Sequence, residues 1–119
     1  MTPAKIKKHC ASLPGVTSDI KWGADLCYSV GGKMFAVICE TGDQANSMSF
    51  KVDDHRFLEL TDHDHFIPAP YLARAKWVYT KDVRKVSEEE LKALLTRSYE
   101  IIRDKLPKSK RPPIPPRTR

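Results

Sequence analysis

Hydrophobic residues recur along this chain with two periods, and the changes of period mark out its elements. Ile6, Cys10 and Leu13 fall at helical spacing behind Thr2, a capping residue, and Pro3, which suits the first helical position; Pro14 and Gly15 stop the run. A helix is predicted over 3–13. The period then shortens to two, with Leu26, Tyr28 and Val30 alternating against Cys27 and Ser29 in a strand over 24–30. Gly31 and Gly32 supply the positive φ angles of a two-residue hairpin turn. The nearly continuous apolar run KMFAVICE follows as a second strand, 33–40, central in its sheet. Met48, Phe50 and Val52 alternate against Ser47, Ser49 and Lys51, predicting a third strand with one buried and one wet face.

Asp53 caps a short helix, DDHRFLEL, which offers Phe57, Leu58 and Leu60 to a core. Pro68 and Pro70 bracket Ala69, and Pro70 opens a single helical turn, PYLARA. The chain is then extended over 76–81, with Trp77 and Tyr79 on one side and Lys76, Val78 and Thr80 on the other. A further short strand is considered at 83–86. Ser87 and Glu90 form a capping box, and Leu91, Leu94, Leu95, Tyr99, Ile102 and Leu106 trace one apolar stripe over 88–106. These elements predict an α+β fold, a two-layer sandwich in which helices pack on one face of an antiparallel sheet of four or five strands. One domain is expected over 1–107, followed by a basic, proline-rich, disordered tail over 108–119.

Several stretches together resemble the MmcQ/YjbR family: GVTSDIKWGADLCYSVGGKMFAVI, then IPAPYL with the later pair Trp77 and Val78, then SEEELKALLTRSYEIIRDKLPK with its step from Ser98 to Tyr99. The resemblance spans residues 3–110. It implies a CyaY-like two-layer fold and DNA binding through a "double wing" surface, and it carries no catalytic residues onto this chain. The basic end after Arg111 lies outside the family pattern.

Charge refines the picture. The formal net charge is +6, but the tail alone holds Lys108, Lys110, Arg111, Arg117 and Arg119 with no acid, so residues 1–107 are nearly neutral. Within that body, Arg74, Lys76, Lys81, Arg84 and Lys85 are opposed only by Asp82 over 71–86. They read either as phosphate contacts along an exposed edge or as the lysines that guard an edge strand against pairing. Tyr71, Trp77 and Tyr79 read either as bases' stacking partners or as core, and core packing beneath the long terminal helix is the expected role of Trp77 and Tyr79. Lys5, Lys7 and Lys8 make a smaller cationic patch. Residues 53–64 hold five acids against Arg56, and Asp62, His63, Asp64 and His65 have the ligand chemistry of a metal site without a recognised spacing.

No Walker loop, nucleophile elbow, dinucleotide fingerprint or HExxH motif is present, so no motif-borne catalysis or cofactor is expected. Cys10, Cys27 and Cys39 are odd in number, far apart and set in apolar patterns, which suits reduced thiols; with no apolar run of membrane length and no secretory leader pattern, a cytoplasmic protein is expected. The functional expectation is a non-enzymatic protein that associates with DNA through the basic edge and tail, the nucleic-acid contacts being Arg74, Lys76, Lys81, Arg84, Lys85, Lys108, Lys110 and Arg111. The alternative is a protein-interaction module or homodimer that acts through the sheet face or edge. No membrane contact, small-molecule substrate or metal is expected.

Overall fold

The computed structural model describes residues 1–21, 25–42, 44–62, 65–70 and 72–112. Helix α1 (Pro3–Ser12) begins where expected: the Thr2 side chain accepts a hydrogen bond from the Lys5 amide, and Ile6 and Cys10 are its buried residues. Strands β1 (Val16–Lys21), β2 (Asp25–Val30), β3 (Lys33–Cys39) and β4 (Met48–Lys51) follow, then helix α2 (Asp54–Thr61), strands β5 (Ile67–Pro68) and β6 (Trp77–Thr80), and helix α3 (Glu88–Asp104). The strands form one antiparallel sheet in the order β1-β2-β3-β4-β6-β5. Gly31 and Gly32, both at positive φ, turn β2 into β3.

The fold is α+β, with six strands instead of four or five. Both additional strands lie at the sheet's edges, where a buried apolar face is not required. Every residue of β1 except Val16 is exposed, so VTSDIK carries no core-facing alternation. Strand β5 has two residues, one of them a proline. The strand considered at 83–86 is instead a 3₁₀ turn, Val83–Lys85, because the Asp82 side chain accepts from the Arg84 amide and curls the chain.

Helices α1 and α3 cover one face of the sheet. Ile6, Leu91, Leu95 and Tyr99 join Val30, Phe35, Ile38, Phe50 and Val78 in a single core, each large apolar side chain contributing about 1.5–3 kcal/mol through burial. Tyr99 meets Phe35 edge to face at 5.6 Å and donates its hydroxyl to the Pro14 carbonyl. The expected side of Trp77 is corrected by the register. Val78 pairs with Phe50 and lies in this core, whereas Trp77 pairs with Lys51 and Tyr79 with Ser49. Alternation therefore sends both rings to the face away from the helices. Trp77 is nonetheless buried.

One residue of α3 ties the two layers together. The ladder between β3 and β4 runs through Ile38, Val37 and Ala36 paired with Met48, Ser49 and Phe50, and stops there. At the next step the fully buried Ser98 stands between the strands: its hydroxyl donates to the Phe35 carbonyl at 2.6 Å and accepts from the Lys51 amide at 3.0 Å. A serine in the apolar stripe thus completes the bonding of two strands that have begun to part. Ser98→Ala leaves both backbone groups unsatisfied and should lower stability by about 2–6 kcal/mol, about 1–3 for each group, read as a reduced urea midpoint with an unchanged m-value.

Candidate functional site: a cationic cleft at the end of the sheet

Beyond the Ser98 bridge, the parted ends of β3 and β4 open into a cleft of about 590 Å³. Lys33 and Met34 enter it from the start of β3, and Lys51 from the last position of β4. The 3₁₀ turn Ala73–Ala75 brings Arg74, and Lys76 follows at φ 61°, a left-handed conformation that reverses the chain into Trp77. The C-terminal end of α3 and the residues after it supply Ile102, Lys105, Leu106 and Pro107. Among the described residues, five cations from four separate chain segments therefore face a largely apolar wall, with Asp54 the one acid in the lining. Low-dielectric walls concentrate such a field.

Lys51 is the unusual member, being only 8% exposed. Its ammonium donates to the Ala75 carbonyl, yet it carries three donors, and none of the ion pairs among the described residues includes it. Burial pushes its pKa down, and Lys105 and Lys76 add to that while Asp54 and Asp53 oppose it. The Lys76 ammonium lies over the Phe57 ring, 5.0 Å from its centroid, a cation–π contact that ties its side chain to α2.

The eight residues singled out by sequence are not one row. Arg74 and Lys76 line the cleft. Lys81 and Lys85 stand past the far end of β6, roughly 13 Å of strand rise away, around a separate hollow with His65, Ile67, Tyr79 and Asp82. Arg84 is spent locally: its Nε and Nη2 each meet a carboxylate oxygen of Asp82 at 2.9 Å, and these bonds hold the Asp82 pKa down at about 2. Nor is the row on an outer edge, since β5 pairs with β6 along Tyr79 and Val78.

The tail is also corrected over its first residues. Lys108–Lys110 form a 3₁₀ turn, and Arg111 donates from Nε to the Leu106 carbonyl at 2.8 Å and from Nη2 to the Asp104 carbonyl at 2.9 Å. Arg103 in turn donates to the Pro112 carbonyl. Arg111 thus caps the open carbonyls at the end of α3, and 108–112 are held to the body. Lys108 and Lys110 are exposed beside Pro107. The rest of the tail, with Arg117 and Arg119, lies outside the described residues.

Other groups are accounted for structurally. Lys5 pairs with Glu88 at 2.9 Å and Lys7 with Glu40, which leaves Lys8 as the remainder of that patch. Asp53 is held by both Nε and Nη2 of Arg97, whose hydrogen bonds lower its pKa. Cys27 stands opposite Val37 and Cys39 opposite Asp25, so the two thiols do not face each other directly; burial pushes the Cys10 thiol up to about 12. Of the metal candidates, His63 and Asp64 lie outside the described residues, as does Tyr71 of the stacking candidates, and among the described residues no three acidic, His or Cys groups gather around a metal-sized space.

Sequence reasoning missed Lys33, Lys51 and Lys105. Lys51 occupies a polar position in a clean alternation and so reads as solvent-facing; nothing local announces that its face is covered. The end of the α3 stripe carried the only available signal, because Ile102 and Leu106 flank Lys105 and require an apolar neighbour.

The YjbR family model matches residues 11–101. The chain belongs to the YjbR family. A crystal structure of the Deinococcus radiodurans protein DR2400, which carries the domain DUF419, is 28% identical with a TM-score of 0.80, and the match covers 92% of this chain and 85% of that one. A Pseudomonas syringae protein shares the fold at 14% identity and a TM-score of 0.70, with 86% of this chain and 99% of that one covered. No curated protein matches the chain. The YjbR match takes in Lys33, Lys51, Arg74, Lys76 and the Ser98 bridge, but ends before Lys105 and the capping turn.

The buried cation has a stability signature. Because the folded pKa of Lys51 lies below the ordinary 10.5, the unfolded chain holds more protons than the native one between those two values, and stability contributed at this site rises with pH across that window. Lys51→Met should therefore match or exceed the wild type in stability at pH 7. Its advantage should shrink as pH approaches 10.5, as measured by urea unfolding of both proteins over a pH series.

Proposed function

We propose that this YjbR-family protein is a non-enzymatic, cytoplasmic nucleic-acid-associating protein that takes phosphates into the cationic cleft, with Lys108 and Lys110 extending the positive surface past Pro107. The observation that carries the reading is the gathering of Lys33, Lys51, Arg74, Lys76 and Lys105 against one acid among the described lining residues, in a body that is nearly neutral as a whole. Like charges brought together from distant segments repel one another, and a polyanion offsets that cost. Lys5, Lys7, Arg84 and Arg97 are paired with carboxylates, whereas none of the five cleft cations enters an ion pair among the described residues. Contacts of this kind recognise the backbone, and the expected affinity is weakly sequence-selective. A CyaY-like frame and a double-wing surface belong to the same reading, with the cleft between the sheet's end and the α3 terminus as the charged element.

A second reading has its own observation. Strand β1 is an open edge, with Ile20 59% exposed, while the opposite edge is closed off by a two-residue strand containing Pro68. Such an edge accepts an added strand from a partner or a second copy.

Fluorescence anisotropy with single-stranded and duplex DNA across a salt series tests both. Lys33→Glu and Lys105→Glu should each weaken binding and lower the log–log salt slope by about one unit per lost phosphate contact, with Lys81→Glu having the smaller effect. Wild-type protein that ignores DNA at low salt, while its size-exclusion mass doubles with concentration, would replace the first reading with the second.

A further inference from the structure

The cleft carries more chemical detail than a backbone-binding surface requires. A surface that only tracks phosphodiesters needs exposed, adaptable cations, and Lys33, Arg74 and Lys105 are of that kind. Lys51 is not. It is nine-tenths buried at the back of the cleft, with a single acceptor, the Ala75 carbonyl, and no carboxylate of the described residues in an ion pair with it. An unpaired buried charge is costly. Neither the core nor the sheet requires it, since β4 takes its bonds through the Lys51 amide, to Ser98, and through pairing with Trp77.

We propose that the cleft receives a phosphate monoester, the terminal phosphate of a nucleic-acid strand or of a mononucleotide, with the phosphate against Lys51 and the sugar and base along Met34, Ile102 and Leu106. Three properties favour a monoester over an internal phosphodiester. Depth is the first: a diester has chain on both sides and meets cations at a surface, whereas a terminal phosphate can be pushed into a recess. Charge is the second, because a monoester carries about −1.5 to −2 and three acceptor oxygens at neutral pH. That suits two unused ammonium protons on Lys51 with Lys33, Arg74 and Lys105 around them. Shape is the third, since much of the lining is apolar and 590 Å³ falls within the roughly 300–1,000 Å³ of small-ligand sites.

The strand as source rests on the nucleic-acid reading above, while the phosphate chemistry rests on the cleft alone, and the two can fail separately. The test measures binding of the full chain to hexathymidylate bearing a 5′-phosphate, a 3′-phosphate or neither, and to thymidine monophosphate and inorganic phosphate. A terminal phosphate should tighten binding about 10- to 100-fold, the effect of one charge-assisted hydrogen bond. Lys51→Met should abolish that difference, the unphosphorylated strand keeping a salt-dependent affinity weakened by no more than one lost cleft contact, whereas Lys81→Glu, outside the cleft, should leave the difference in place. Lys33→Ala and Lys105→Ala, both at exposed positions, should reduce it without any burden on folding.

Equal affinity for phosphorylated and unphosphorylated strands, unmoved by Lys51→Met, would overturn the inference and leave the nucleic-acid reading standing. Lys51-dependent binding of the mononucleotide without binding of any strand would sustain the cleft chemistry and overturn the nucleic-acid source. Inorganic phosphate binding as tightly as the mononucleotide would overturn the role given to the apolar wall.

Discussion

The hydroxyl of Ser98 occupies the point at which two neighbouring strands cease to bond to each other, and the rest of the architecture follows from that contact. It satisfies the Phe35 carbonyl and the Lys51 amide, groups that would otherwise be buried and orphaned at a cost of about 1–3 kcal/mol each. The next residue, Tyr99, packs on Phe35 and reaches the Pro14 carbonyl. Two consecutive positions of α3 therefore fix β3, β4 and the turn after α1 in relation to one another. With the ladder ended on one side and Lys51 still paired to Trp77 on the other, the strand ends part, and the gap between them is the cleft.

Charge is distributed in keeping with that geometry. Several cations elsewhere are matched, Lys5 with Glu88, Arg84 with Asp82 and Arg97 with Asp53, while Lys8, Lys81 and Lys85 enter none of the ion pairs among the described residues. Exposed pairs of this kind contribute little to stability, but they cancel the field locally. At the cleft there is no comparable cancellation, and one of the cations is buried. The proposed phosphate would occupy this uncancelled recess.

The long terminal helix, the meander and its glycine turn were legible in the sequence because each buries a periodic apolar face. The edges were not. VTSDIK pairs along its whole length yet buries little beyond Val16, so it lacks the alternation that identifies a strand. Trp77 was expected beneath α3 because large rings seek cores, but register decides its face, and register is a long-range property. Arg74 and Lys76 were found as cations and came together in the cleft; Arg84 was found and proved to be neutralised two residues away. Ser98 was visible only as part of a family pattern, although a serine within a leucine stripe asks for a buried partner. Lys51 looked like the wet position of an amphipathic strand, and its burial depends on segments more than 20 residues distant that meet it only in the folded chain.

The central claim is that Lys51 is a buried, incompletely paired cation kept for an anionic ligand. It is tested most directly by an NMR titration of the Lys51 side chain, free and in the presence of thymidine monophosphate. In the free protein Lys51 should titrate below the ordinary lysine value of 10.5, and the ligand should move that titration upward, since a bound phosphate stabilises the charged form. A Lys51 that titrates at 10.5 and does not respond to the nucleotide would contradict it.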